Sequence, residues 1–99
     1  MIKAQLICWR DIPVQVRVKN GRLRQTHPLT PRFQKTVYRA AFRAKAINGN
    51  AYTDSWRTTT WQTYEQSAAQ IVNEIEADYS DKRLDELARN KGFEKGEEK

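Results

Sequence analysis

Ile2, Ala4, Leu6 and Cys8 alternate with Lys3, Gln5, Ile7 and Trp9, the two-residue period of a strand with one buried face and a second, partly apolar one. After a break at residues 11–13, Val14, Val16 and Val18 alternate with Gln15, Arg17 and Lys19. This predicts a second strand with a clear inside and outside. Asn20-Gly21 follows at once, a dipeptide suited to the two positive φ angles of a tight hairpin turn. With that turn Lys19 faces Arg22 and Val18 faces Leu23, so a third strand runs from Arg22 to about Thr26 with Leu23 on the valine face.

Leu29-Thr30-Pro31 is a helix start: Thr30 can cap the first unpaired amides, and Pro31 suits the first helical position. The helix is expected to run to about residue 46 or 47. Phe33, Val37, Ala40, Ala41, Ala44 and Ile47 form one apolar stripe along it. Arg32, Lys35, Arg39 and Arg43 form a second, basic stripe. Asn48-Gly49-Asn50 ends the helix, with Gly49 able to adopt a left-handed cap.

Residues 51–65 carry two signals. Tyr52 and Trp56 are four apart, which favours a helical turn, whereas Thr58 to Tyr64 is β-branched and aromatic and favours a strand. The reading taken is a helical turn followed by a fourth strand. Ser67 can cap a helix with Ala68, Ile71, Val72, Ile75 and Tyr79 on its apolar face and Glu74, Glu76 and Asp78 in water. Ser80 or Asp81 starts a last short helix, with Leu84, Leu87 and Ala88 inward and Gly92 as its stop. The pattern predicts a two-layer α+β domain over residues 1–92: an antiparallel sheet, one long helix and two shorter C-terminal helices. Residues 93–99 read as a polar tail.

Composition changes this picture mainly through charge. The net charge of +6 is segregated: residues 1–60 carry +10 and residues 61–99 carry −4, a basic pole and a milder acidic one. A single cysteine and a single histidine exclude an internal disulfide and a Cys/His zinc site, so neither a metal nor a cofactor is expected. Lys3 and Gln5 interrupt the apolar start, with Arg10 and Asp11 behind it. That segment therefore reads as a strand and not as a signal peptide, and a reducing, cytoplasmic setting follows as the expectation. No run approaches the ~20 apolar residues that span a bilayer, so no membrane partner is expected.

Nothing in the chain has the spacing of a catalytic motif. Cys8 follows the inward parity of its strand and reads as a small core residue; His27 stands alone beside Pro28; Asp54 and Glu65 are isolated. An enzyme, and with it a small-molecule substrate, is not expected. Trp9-Arg10-Asp11-Ile12-Pro13 admits two readings, a strand connection covered by Trp9 or a Trp9/Arg10 anchor for a partner. Tyr52, Trp56, Trp61 and Tyr64 are either core, or in part exposed beside Arg57. The basic helix stripe has no carboxylate from Pro31 to Ile47 to supply the usual i,i+4 pairs. Either the acidic C-terminal helices of the same chain or an anionic partner lies against it.

Trp9-Arg10-Asp11-Ile12-Pro13 with Gln15-Val16, Leu29-Thr30-Pro31-Arg32-Phe33, Arg39-Ala40-Ala41 with Arg43-Ala44, then Tyr52 and Trp56, together resemble the small bacterial "virulence factor" domain, found also inside conserved virulence factor C proteins. The likeness covers roughly residues 2–92. The resemblance implies a short stand-alone domain whose longer relatives place it beside helical repeats and a segment similar to iron–sulfur scaffold proteins. It brings no catalytic residue. The function expected is a non-enzymatic adaptor docking an acidic protein surface through the basic helix and hairpin, with Trp9, Arg10, Arg17, Arg22, Arg24, Arg32, Lys35, Arg39, Arg43 and Trp56 as contact residues. Nucleic-acid binding by the same face is the alternative. An accessory subunit of a cofactor-dependent enzyme is a third reading, suggested by the longer relatives.

Overall fold

The computed structural model describes residues 1–46 and 50–94. Strands β1 (Ile2–Trp9), β2 (Ile12–Asn20) and β3 (Leu23–Pro28) form the expected meander. Helix α1 (Pro31–Arg43), a short α2 (Asn50–Asp54), strands β4 (Trp56–Thr58) and β5 (Gln62–Tyr64), and helices α3 (Ala68–Asp78) and α4 (Asp81–Arg89) follow. The sheet runs β3-β2-β1, and β4 and β5 pair antiparallel with successive stretches of the other edge of β1. The fold is the two-layer α+β arrangement that the periodicities predict.

The anticipated fourth strand is thus two short ones. Thr59 divides them: its Oγ1 accepts the Leu6 amide at 2.9 Å while its own N–H donates to the Leu6 carbonyl at 3.0 Å. A side-chain oxygen takes over a ladder position, and the regular pairing stops there.

The hairpin register also differs from expectation. Asn20 pairs with Leu23, Lys19 with Arg24 and Val18 with Gln25, which leaves Gly21-Arg22 as the turn. Of these only Gly21 has positive φ, 64°. This is the type II′ pattern, which spares Asn20 the left-handed conformation that an Asn-Gly turn would impose. Leu23 stays on the valine face but moves past Val18 to the end of the strand, where it is 66% exposed.

The core joins Ala4, Val14, Val16 and Val18 of the sheet to Phe33, Val37, Ala40 and Ala41 of α1 and to Ile71, Leu84 and Leu87 of α3 and α4. Each fully buried Phe or Val side chain contributes about 1.5–3 kcal/mol. The stripes read from the sequence therefore meet as expected over the described residues. Ile47, the Asn48-Gly49 cap and residues 95–99 of the tail lie outside those residues.

α1 closes earlier than anticipated. Lys45 takes the left-handed position, φ 59°. Its N–H bonds the Phe42 carbonyl at 3.0 Å, and the Ala46 N–H bonds that of Ala41 at 2.8 Å. This is a Schellman closure with lysine where glycine is usual. α4 ends in the same way, with Lys91 at φ 62° and the Gly92 N–H on the Leu87 carbonyl at 2.7 Å. Ser67 and Ser80 cap α3 and α4, the former in a reciprocal box with Gln70. Thr30 does not cap α1 with its side chain. Its hydroxyl and amide both donate to the Glu76 carboxylate, at 2.9 and 2.7 Å.

Candidate binding face

Trp9 to Pro13 form a closely packed knot, with the side chains of Trp9, Ile12 and Pro13 fully buried. Trp9 is 0% exposed, and its indole N–H donates to the Tyr52 carbonyl at 2.9 Å. Arg10 and Asp11 make the two-residue turn between β1 and β2, with Arg10 left-handed at φ 56°. The Arg10 guanidinium sits 4.7 Å from the Trp9 ring centre and 4.8 Å from that of Phe93. It donates to Ser55 Oγ at 3.2 Å and to the Lys91 carbonyl at 2.8 Å. Burial lowers its pKa. Asp11 pairs with Arg57 at 3.2 Å and accepts the Glu94 amide at 2.8 Å. Phe93 and Glu94 are accordingly tied to the fold and are not part of a polar tail.

This knot corrects three anticipated contact residues. Trp9 has no exposed ring to offer a partner, Arg10 is spent on internal acceptors and rings, and Trp56 stands opposite Trp9 with its ring edge-on to Tyr52 at 6.1 Å. The covered-connection reading of this segment is the one that the geometry supports.

The basic helix stripe is corrected in part. Arg32 pairs with Glu76 and Asp81, both at 3.1 Å, and donates to the carbonyls of Glu76 and Tyr79. Arg39 pairs with Asp85, which also binds Arg89 at 3.0 Å. α4 packs along α1 and brings these carboxylates against the stripe, so half of the charge expected to face a partner is met within the chain. Lys35 and Arg43 remain exposed. Glu76, expected in water, is half-buried; burial pushes its pKa up, but the hydrogen bonds from Thr30 and Arg32 outweigh this and hold it below the ordinary value. The hydrogen bond from Arg39 lowers Asp85 in the same direction.

A second group of cations without ion pairs among the described residues lies on the sheet. Where β1 and β2 pair from Ala4/Val18 to Leu6/Val16, the core contacts are on the face of Ala4, Val16 and Val18. On the opposite face Lys3 stands across from Lys19, and Lys19 across from Arg24. Three cations occupy one row over three adjacent strands, and strands are ~4.8 Å apart. In the next row Arg17 donates to Gln5 at 3.2 Å, and Arg22 stands in the hairpin turn. None of these five cations forms an ion pair among the described residues. The Lys19 ammonium lies 4.4 Å from the Trp61 ring centre.

Of the four rings that the sequence leaves as either core or partly exposed, Tyr52, Trp56 and Tyr64 pack against the core, and Trp61 is not among the residues of that cluster. Alternation along the three strands puts Lys3, Arg17, Lys19, Arg22 and Arg24 on one sheet face; the observed register moves Arg22 into the turn and sets Arg24 directly across from Lys19. Tyr38 and Phe42, 51% and 74% exposed on α1, lie off its apolar stripe. Cys8 is buried as expected, and burial raises its thiol pKa. His27 is half-buried, 3.3 Å from Gln25. Among the described residues no three His, Cys, Asp or Glu side chains gather as metal ligands, and no helix is long and apolar enough to cross a membrane.

No curated protein and no solved structure matches the chain. The family model described as Virulence factor matches residues 7–88, a span that begins in β1, includes the Trp9–Pro13 knot and reaches into α4. By that match, over most of its length, the chain belongs to the Virulence factor family.

Proposed function

We propose that the protein is a non-enzymatic binding module that docks an acidic protein surface on the outer face of its sheet and on the β2–β3 hairpin. One observation carries the reading: Lys3, Lys19 and Arg24 stand in a single cross-strand row with no carboxylate paired to them among the described residues. Like charges directly opposite each other destabilise a sheet, and an anionic partner relieves that repulsion on binding. Electrostatic complementarity of this kind steers association and selects acidic partners. The proposed surface therefore keeps Arg17, Arg22 and Arg24, adds Lys3 and Lys19, and leaves out Lys35 and Arg43, which belong to the helix packed on the other face of the sheet.

Fluorescence titration with a poly-glutamate peptide tests this. Binding is expected for the native chain, a loss of about tenfold or more for Lys19→Glu/Arg24→Glu, and little change for Lys35→Glu/Arg43→Glu. Equal affinity in both double variants overturns the assignment of the face. Single-stranded DNA or RNA bound much more tightly than the acidic peptide, with the steep salt dependence of phosphate contacts, overturns the choice of a protein partner. Nucleic acid is less favoured because the Lys19 ammonium lies over one face of the Trp61 ring and closes that face to base stacking.

A further inference from the structure

We infer that the docked segment is an extended peptide that adds as a new strand along the outer edge of β3, its acidic side chains alternating with apolar ones. The inference rests on the docking reading above and specifies its mode. The sheet order leaves β3 at an edge. In a hairpin with a two-residue turn, the residues flanking the turn exchange hydrogen bonds, and the bonding alternates from there. Asn20 and Leu23 are that flanking pair, so Leu23, Gln25 and His27 turn their backbone groups toward β2. The Leu29 N–H, 2.9 Å from the Val14 carbonyl, continues the same phase.

Arg24 and Thr26 are therefore the residues whose amides and carbonyls point away from the sheet. Among the described residues neither bonds a backbone group outside its strand pair. Pro28, which has no N–H to offer, falls on this same outward phase, where proline is tolerated in a strand. Two residues thus present four unpaired backbone groups, the template used in strand addition.

The two faces of the edge differ, and the difference specifies the peptide. On the outer face an added strand runs beside Arg24, with Lys19 behind it and Arg22 at the turn. On the helix face it runs beside Leu23, above a groove of about 260 Å³ whose lining includes Ile2, Val18, Leu23, Gln25 and Ala68. Successive side chains of a strand point to opposite faces. A peptide that alternates carboxylates with aliphatic side chains satisfies the cations on one side and covers Leu23 on the other.

A peptide alternating Glu and Val, compared with one of the same composition in two blocks, is the probe, and Thr26→Pro is the variant. The substitution removes an outward N–H and leaves the β2–β3 bonds in place. The native chain is expected to bind the alternating peptide about tenfold more tightly than the blocked one, and Thr26→Pro to lose that preference. Hydrogen exchange on the native chain, which needs no variant to fold, is expected to show the Arg24 and Thr26 amides protected when the alternating peptide is added. Equal affinities for the two peptides, or no protection of those amides, overturn strand addition. If in that case Arg24→Glu still abolishes binding, docking on the basic face survives. If Arg24→Glu binds as the native chain does, the docking reading fails as well.

Discussion

Gly92 lies against the indole of Trp9 so closely that a Cβ at position 92 would stand 2.9 Å from Cζ3 of the ring. The contact joins the end of α4 to the β1–β2 turn, and Trp9 is fully buried and has nowhere to move. Gly92 also has φ 96°. Gly92→Ala is expected to destabilise the protein by at least about 2 kcal/mol, from the backbone conformation and the overlap together. Urea unfolding followed by tryptophan fluorescence measures this, and an alanine variant as stable as the native chain contradicts the contact.

Arg10 secures the same junction through two rings, a hydroxyl and a carbonyl. Arg10→Ala is expected to cost about 1–3 kcal/mol of stability. Affinity for the acidic peptide stays unchanged, because the guanidinium is turned into the fold. A variant of full stability and weakened binding would return Arg10 to the role of anchor.

Much of the fold was legible because its elements have clean periods. The valines of β2, the Phe33 to Ala41 stripe and the Leu84 to Ala88 stripe each pack where their spacing puts them. What the sequence hid was pairing over long separations. Glu76 lies 46 residues from Thr30, and its position in α3 reads as solvated until α1 is seen to start beside it. The basic stripe of α1, without a carboxylate of its own, shows in the sequence that counter-charge must come from elsewhere; only packing reveals that Asp81 and Asp85 supply part of it. The edge groups of β3 depend on whether the turn is Asn20-Gly21 or Gly21-Arg22, a choice that local propensity alone left on the wrong side.

Glu76 makes stability depend on acid. Its folded pKa lies below the ordinary value, so its contribution is fully present above the unfolded pKa and is lost as pH falls through the lower folded one. The urea midpoint is expected to drop below about pH 4. Glu76→Gln lowers the midpoint at neutral pH and makes the acid fall shallower. An unchanged pH profile in that variant would mean that the Thr30 and Arg32 contacts do not contribute.

Lys45 holds a left-handed conformation that costs a non-glycine residue about 1 kcal/mol. Lys45→Gly is expected to raise stability by about 0.5–1 kcal/mol. Thermal unfolding gives the comparison, with a lower midpoint as the contrary result.

Lys3 separates stability from binding. Lys3→Glu places a carboxylate opposite Lys19 and is expected to gain about 0.2–1 kcal/mol, while affinity for the acidic peptide falls. A variant that loses both would show that the row is held for packing.

The charged edge of β3 has a consequence for the company the molecule keeps with itself. An unpaired strand is an invitation to any neighbouring chain, and identical copies are the neighbours present at highest local concentration during synthesis. Two such hairpins approaching edge to edge bring two sets of Arg22 and Arg24 onto one joint edge, and Pro28 interrupts the ladder they would build. The like charges of Arg22 and Arg24 on each copy thus work against pairing of the edge with a twin.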